Sequence, residues 1–386
     1  MALEASLGDR VLLLLSIKKQ GRFIPRGHVV EKVLRDAAMR GVVSESDVDR
    51  VIRELVRNGL VLERRGSFAA SEMGRARLRQ RLGKGVTGLN LSYLRVLEAR
   101  EYYPAAAEAL LPFLKDRATS VVKVFSHPED PISRLKPLFV RYARYKPKPV
   151  HIVVRSEKDL LSLVDAHAVD FIPYVHPLDV RVPDWFILDL DAGEAFVEHP
   201  RGFRLLKIVT QALVEVLLDH GIAPRVKFSG SRGMQVWAWL DNQELPCVDL
   251  FALYRELAVY VQRRTEERLQ RLPSRTLEMF YEVVSKGKPI TTSVVAKKRE
   301  RADQVLVDWS SMKPMGDVRA PFSIHYKTGL VSCPVDATRL PDFKASEAEP
   351  RRVVENLDSL MECFEPVLSN PGKLFQGYKK RKIKKR

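Results

Sequence analysis

Apolar positions change their spacing along the chain, and the changes divide it. Up to about residue 60 they recur every three or four residues, the period of a helix packed on one side. Val11, Leu12, Leu14, Leu15 and Ile17 predict a first helix over residues 8–19, and residues 29–39 predict a second, ended by Gly41. Ser44 or Ser46 can cap a third, which runs through Val48, Val51, Ile52, Leu55 and Val56 to Gly59. Residues 60–69 then read as a hairpin turning near Arg65-Gly66. Three helices and a two-stranded ribbon is the order of a winged helix-turn-helix. Arg50, Arg53 and Arg57 recur along one side of the third helix, with Arg64 and Arg65 on the wing. These arginines are candidates for DNA contact; winged helices that bind protein carry similar, merely solvated, arginines.

From about residue 91 the pattern becomes mixed α/β. Residues 92–115 are helical apart from interruptions at Pro104 and Pro112, and residues 157–167, 201–220 and 248–269 are further helices, the second closed by Gly221. Short apolar runs predict strands at 120–125, 149–154, 171–175, 185–190, 226–228, 235–240 and 304–309. Trp237 and Trp239 alternate, so they share one face, where a core or interface role outweighs base stacking. The expected organisation is a winged helix over 1–82, a glycine-rich linker over 83–90, an α/β catalytic domain over 91–345, a helical segment over 346–378 and a basic tail over 379–386.

Charge adds a partner. The 386 residues include 65 Lys and Arg against 48 Asp and Glu, a net charge of +17. The tail from Lys379 to Arg386 supplies seven of these charges, which leaves +10 over the rest. A distributed positive excess points to a polyanion, most commonly nucleic acid. No apolar run reaches the ~18 residues that span a bilayer, so no membrane partner is expected. The three cysteines, Cys247, Cys333 and Cys363, lack metal-ligand spacing and fit a reducing cytoplasm.

Candidate chemistry centres on Asp189 and Asp191. They end the strand at 185–190 one residue apart, so both project to the same face. Two carboxylates so placed repel unless a cation lies between them, and hard Mg²⁺ or Mn²⁺ prefers such oxygen donors. A lone Asp-x-Asp also ends many strands before a turn. A third carboxylate, Asp308, lies on the strand at 304–309. Two divalent ions held by three carboxylates could activate a primer 3′-hydroxyl and neutralise the leaving pyrophosphate. Ser229-Gly230-Ser231-Arg232-Gly233 is a glycine-flanked turn whose N–H groups, hydroxyls and guanidinium suit phosphate; standing alone, it reads rather as a hairpin turn with a surface arginine. Lys286, Lys288, Lys297, Lys298, Arg299 and Arg301 form a basic stretch expected to follow template phosphates, or else a solvated loop.

Taken in order, these motifs resemble the archaeo-eukaryotic primase superfamily, and more closely the polymerase domain of bacterial DNA ligase D and its archaeal end-joining relatives. The resemblance runs from about Glu101 to Asp336. Leu114-Lys115-Asp116-Arg117 is similar to that family's L-x-D-R-P turn, with Ala118 in place of proline. Asp184 to Asp191, Val305-Leu306-Val307-Asp308-Trp309-Ser310, and Arg319-Ala320-Pro321-Phe322-Ser323-Ile324 followed by Val331-Ser332-Cys333-Pro334 are similar to its central, third and closing segments. The resemblance implies a mixed-sheet α/β core with an RRM-like catalytic sheet. It implies Asp189, Asp191 and Asp308 as ligands of Mn²⁺ or Mg²⁺. Ser229, Ser231, Arg232, Gly233, Gln235, His325 and Lys327 are implied as nucleotide contacts.

This sequence departs from the family at three of those places. Gln235 stands where the second motif has histidine, Ile172 replaces another histidine, and His325 and Lys327 lie where a triphosphate-binding arginine is usual. Gln can donate a hydrogen bond but carries no charge. The expected function is metal-dependent nucleotidyl transfer, extending or initiating strands on DNA from nucleoside triphosphates, in end-joining repair or priming. The partners are primer-template or broken DNA ends, with a separate ligase or end-binding protein for sealing. The alternative is a catalytically weakened DNA-binding or regulatory protein that keeps the fold.

Overall fold

A computed structural model describes the chain except residues 1, 18–20, 36–42, 84–85, 87, 126–135, 181, 246–248, 294–301 and 384–386. The N-terminal stretch forms α1 (Ala2–Ser16), β1 (Ile24–Pro25), α2 (Arg26–Leu34), α3 (Glu45–Arg57), β2 (Val61–Arg64), β3 (Ser67–Ala70) and α4 (Glu72–Leu82). Ser44 caps α3 in a reciprocal box with Asp47, satisfying two backbone donors. Val48, Val51, Ile52 and Leu55 turn inward from it. The β2–β3 turn places Arg65 and Gly66 at positive φ, and β1 adds a third strand in the order β1-β3-β2. The first helix starts earlier than its apolar stripe implies, and the expected Gly41 stop lies outside the described residues. Helix α4 has no counterpart among the predicted elements: its arginines mask a narrow buried edge of Gly74, Leu78 and Leu82. Polar contacts tie these N-terminal elements to the α/β region. Arg10, buried, donates to Glu101 at 2.9 Å, and Leu82 O accepts from Arg100 at 3.1 Å and contacts His167 Nε2 at 2.8 Å.

Next come α5 (Tyr93–Leu110), β4 (Thr119–Phe125), β5 (Lys136–Val140), β6 (Tyr142–Arg144), β7 (Val150–His151), α6 (Glu157–Asp165) and β8 (Ala168–Pro173). They precede β9 (Phe186–Ala192), α7 (Glu194–Glu198), α8 (Gly202–Asp219), β10 (Arg225–Phe228), β11 (Met234–Leu240), α9 (Leu250–Leu269), α10 (Ser274–Tyr281), β12 (Thr291–Thr292) and β13 (Val305–Asp308). Last are β14 (Pro334–Val335), α11 (Pro350–Glu355), α12 (Leu357–Cys363), β15 (Leu368–Ser369) and α13 (Gly372–Ile383). Pro104 does not interrupt α5: the ~3 kcal/mol cost of an interior proline is offset by burying Tyr102, Tyr103, Ala106 and Ala107 around it. The strand expected at 149–154 shrinks to β7, because Val150 is exposed and pairs only with β6.

The central sheet runs β12-β13-β9-β11-β10-β14, with β15 beside β11. Its middle pairs are antiparallel, so the chain is mixed α/β as the apolar pattern predicts. A second sheet, β5-β4-β8, is not hydrogen-bonded into the first. Trp237 is wholly buried among Trp185 at 4.8 Å and Phe113, Phe364 and Trp239 at 5.8–6.2 Å, so the Trp237–Trp239 pair belongs to the core.

Candidate active site

Register builds the site. Lys227 pairs with Gln235, Gln235 with Asp189, and Asp189 with Asp308 across β10, β11, β9 and β13. Residues directly opposite in register face the same side of a sheet, so these four form one polar row. Asp191, two residues along β9, lies on that side as well. Asp189, Gln235 and Asp308 line a cavity of about 250 Å³, together with Ile172, Lys313 and Arg319.

Each member of the row is held. Gln235 accepts from Trp237 Nε1 at 3.2 Å, and its side chain, opposite Asp189 in register, favours the ionised form of that carboxyl. Its amide thus supports the first carboxylate without carrying charge. Burial and the repulsion of Asp191 and Asp308 push the Asp189 carboxyl up to about 6, against the pull of Lys227 and Gln235. Asp308 accepts from the Ser310 amide at 2.7 Å, which closes the chain around it. Asp191 is paired with Arg232, whose Nε and Nη2 reach its two oxygens at 3.1 and 3.4 Å.

The turn after β10 is tightly made. Ser229 Oγ accepts from the Gly233 amide at 3.1 Å and the Ser231 amide at 3.4 Å, and the Ser229 amide donates to Gly233 O. These groups are thus used within the turn, while the Ser231 and Arg232 side chains are exposed. Gly230 sits at φ +82°, where an added Cβ would meet His325 Cβ at 2.9 Å, so another residue would be both strained and crowded. His325 packs under this turn with Thr328, whose hydroxyl donates to Gly230 O at 2.5 Å. Burial holds the imidazole at about 4, neutral near pH 7. Lys327 is exposed, its ammonium 5.6 Å from the Tyr326 ring.

Three charged residues here escaped the reading of the sequence. Asp170, wholly buried on β8, accepts from Arg319 Nε and Nη2 at 2.8–3.0 Å and from Ser323 Oγ at 3.2 Å. Arg319 also donates to Ser229 O at 3.3 Å, tying β8 to the phosphate-like turn. Lys227 is wholly buried, donates to Ser332 Oγ at 2.5 Å and lies 5.4 Å from the Trp237 ring. Burial and the nearby Arg319 lower its ammonium to about 7. The unfolded lysine titrates near 10.5, so between about pH 7 and 10 the unfolded state binds the extra proton and stability rises with pH. Melting temperatures across that range are expected to climb for the native chain and to run flatter for Lys227→Met. Parallel curves would contradict this.

The other candidates lie elsewhere. Arg50, Arg53 and Arg57 are exposed along α3, far along the chain from the row, and Arg50 is ion-paired with Asp47 at 3.1 Å. Lys286 is exposed, whereas Lys288 donates to Asp303 at 2.9 Å. Lys297 and Lys298 lie outside the described residues.

The donors suit a hard divalent cation in kind: three carboxylates on adjacent strands, one kept hard to ionise by burial and by the other two. In arrangement they are not yet gathered. No group of three or more His, Cys, Asp or Glu side chains among the described residues is placed to hold a metal, and Arg232 occupies Asp191.

The profile of the LigD primase-polymerase domain matches residues 97–364, more than half the chain. The chain belongs to the LigD primase-polymerase family. It is therefore of nucleotidyltransferase type. Among solved structures, the polymerase domain of Mycobacterium tuberculosis Ligase D in complex with DNA is similar, with a TM-score of 0.50 and 18% identity. The match covers 68% of this chain and 91% of that one, and at this identity it supports the fold. No curated protein matches. Residues 1–96 precede the matched segment of this LigD primase-polymerase member.

Proposed function

We propose that the chain is a metal-dependent primase-polymerase that adds nucleotides to strands paired with a DNA template, in end joining or priming. The observation that carries this is the Asp189–Asp308 pair across β9 and β13, with Asp191 alongside, in a chain of the LigD primase-polymerase family. Asp189, Asp191 and Asp308 would hold Mg²⁺ or Mn²⁺, which supplies Lewis acidity toward the 3′-hydroxyl and the triphosphate. Gln235 orients Asp189, and Ser310 N–H orients Asp308. Arg232 turns from Asp191 to the triphosphate, joined by the exposed Ser231 and Lys327. Arg319, on the cavity wall, keeps the turn in place through Ser229 O. The structural relative was solved with DNA, which supports the same partner here. Extension of labelled, gapped or overhanging DNA with nucleoside triphosphates and Mn²⁺ tests the reading. Activity by the native chain and none by Asp189→Ala/Asp191→Ala supports it, and equal extension by both refutes it.

The Arg232–Asp191 pair favours a second reading, a DNA-binding protein with weakened catalysis. DNA binding without extension by either form would select it.

The N-terminal unit is proposed to be a winged helix that lays α3 on DNA, with Arg64 and Arg65 on its wing. Replacing Arg53 and Arg57 with alanine is expected to weaken duplex binding and to lower the slope of log affinity against log salt by about two. An unchanged slope would assign α3 to another partner.

A further inference from the structure

The reverse side of the third carboxylate strand holds a second cavity. Asp308 lines the catalytic cleft, whereas its neighbour Trp309 lines a groove of about 450 Å³ between α9 and α13. The α9 wall is a single stripe, residues 252, 255, 256, 259, 260 and 263, at helical spacing. Three aromatic rings bound the space: Trp309 and Tyr378 are half-buried, and Tyr260 is buried behind them. Trp309 Nε1 is buried with no acceptor among the described residues. Arg255, Arg263, Arg381 and Lys382 stand around these rings against one acid, Glu256. Lys382 and the Tyr378 hydroxyl are spent on Glu256, and Arg381 on Glu267 at 2.6 Å, which fixes the α13 wall. Arg263 has no ion-pair partner among the described residues. Lys379 and Lys380 extend the positive charge along α13.

We propose that this groove binds single-stranded nucleic acid, at a site separate from the catalytic cleft. The partly exposed Trp309 and Tyr378 rings, set among guanidinium groups, take an unpaired base and its flanking phosphates. The charge carried past the groove along α13 matches a strand with several phosphates better than a single nucleotide. Arg255 also donates to Met312 O at 2.8 Å, within the segment that follows Asp308. The choice of occupant rests on the proposed polymerase function; the position of the groove does not.

The test measures anisotropy of a labelled oligothymidylate with the full chain, chelator present and no nucleotide. Arg263→Ala/Tyr378→Ala is expected to lose about tenfold or more in affinity, with its circular dichroism and its extension of short gapped DNA retained. Tryptophan emission should be quenched by the oligonucleotide in the native chain and less so in Trp309→Phe. Native-like binding by the double variant would overturn the proposal. So would loss of binding only when Lys384, Lys385 and Arg386 become serine, or equal competition by a mononucleotide. Oligonucleotide binding that persists in a chain failing the extension assay would leave the groove standing and remove the polymerase reading alone.

Discussion

Asp189→Asn is expected to lower nucleotide addition by about 10²–10³-fold or more while making the fold more stable. The two effects share a cause. Asp189 is confined beside Asp191 and Asp308, which together with burial raise its carboxyl to about 6. A folded-state value above the unfolded one, near 3.8, means that ionisation works against folding. The native chain therefore loses stability as pH rises from about 4 to 6, and the deficit persists above that window. Asparagine keeps the shape and the contact with Gln235 but removes the repulsion. A gain of about 1 kcal/mol, read as a rise of about 2 °C in melting temperature at pH 8, is the expected size. The variant's advantage should shrink at pH 4. Single-turnover extension and thermal denaturation, run together, check both halves. A variant that is inactive and also less stable would make Asp189 a structural residue.

Arg319→Ala is expected to cost about 3–5 kcal/mol, because it strands the Asp170 carboxylate in the core. Asp170 has no exposure, and four of its hydrogen bonds come from Arg319 and Ser323. The same arginine holds Ser229 O, so the turn beneath the proposed triphosphate should loosen too. Urea denaturation measures the loss. Asp170→Leu/Arg319→Met, which removes both charges, should recover part of it, since a missing pair costs less than a broken one. A double variant as unstable as the single one would show that hydrogen bonds to Ser323 and Ser229, rather than charge, dominate.

Asp189, Asp191 and Asp308 were legible because strand alternation and motif order both bear on them. Their pairing was not: the register of β13 on β9 follows from how distant segments meet. Asp170 and Lys227 are harder still. Asp170 is the one charged residue of β8 and Lys227 alternates with Arg225 in β10, patterns that normally mark the solvent side, and only the opposing Arg319 or Ser332 reveals that each points inward. The phosphate-like turn was visible in its glycines, yet not the use of its amides by Ser229. Pro104 misled for a physical reason, since local propensity yields to packing when the flanking residues are buried. The strand breaks around β7 and the arginine-coated α4 were hidden by weak periodicity.

The central claim is that the carboxylate row accepts a divalent cation together with a nucleoside triphosphate. Calorimetric titration of the triphosphate into the native chain and into Asp308→Asn, with and without Mn²⁺, tests it most directly. Binding that requires Mn²⁺ and disappears in the variant is the predicted result. Triphosphate binding that is equally tight without the ion, or unchanged by loss of Asp308, would contradict it.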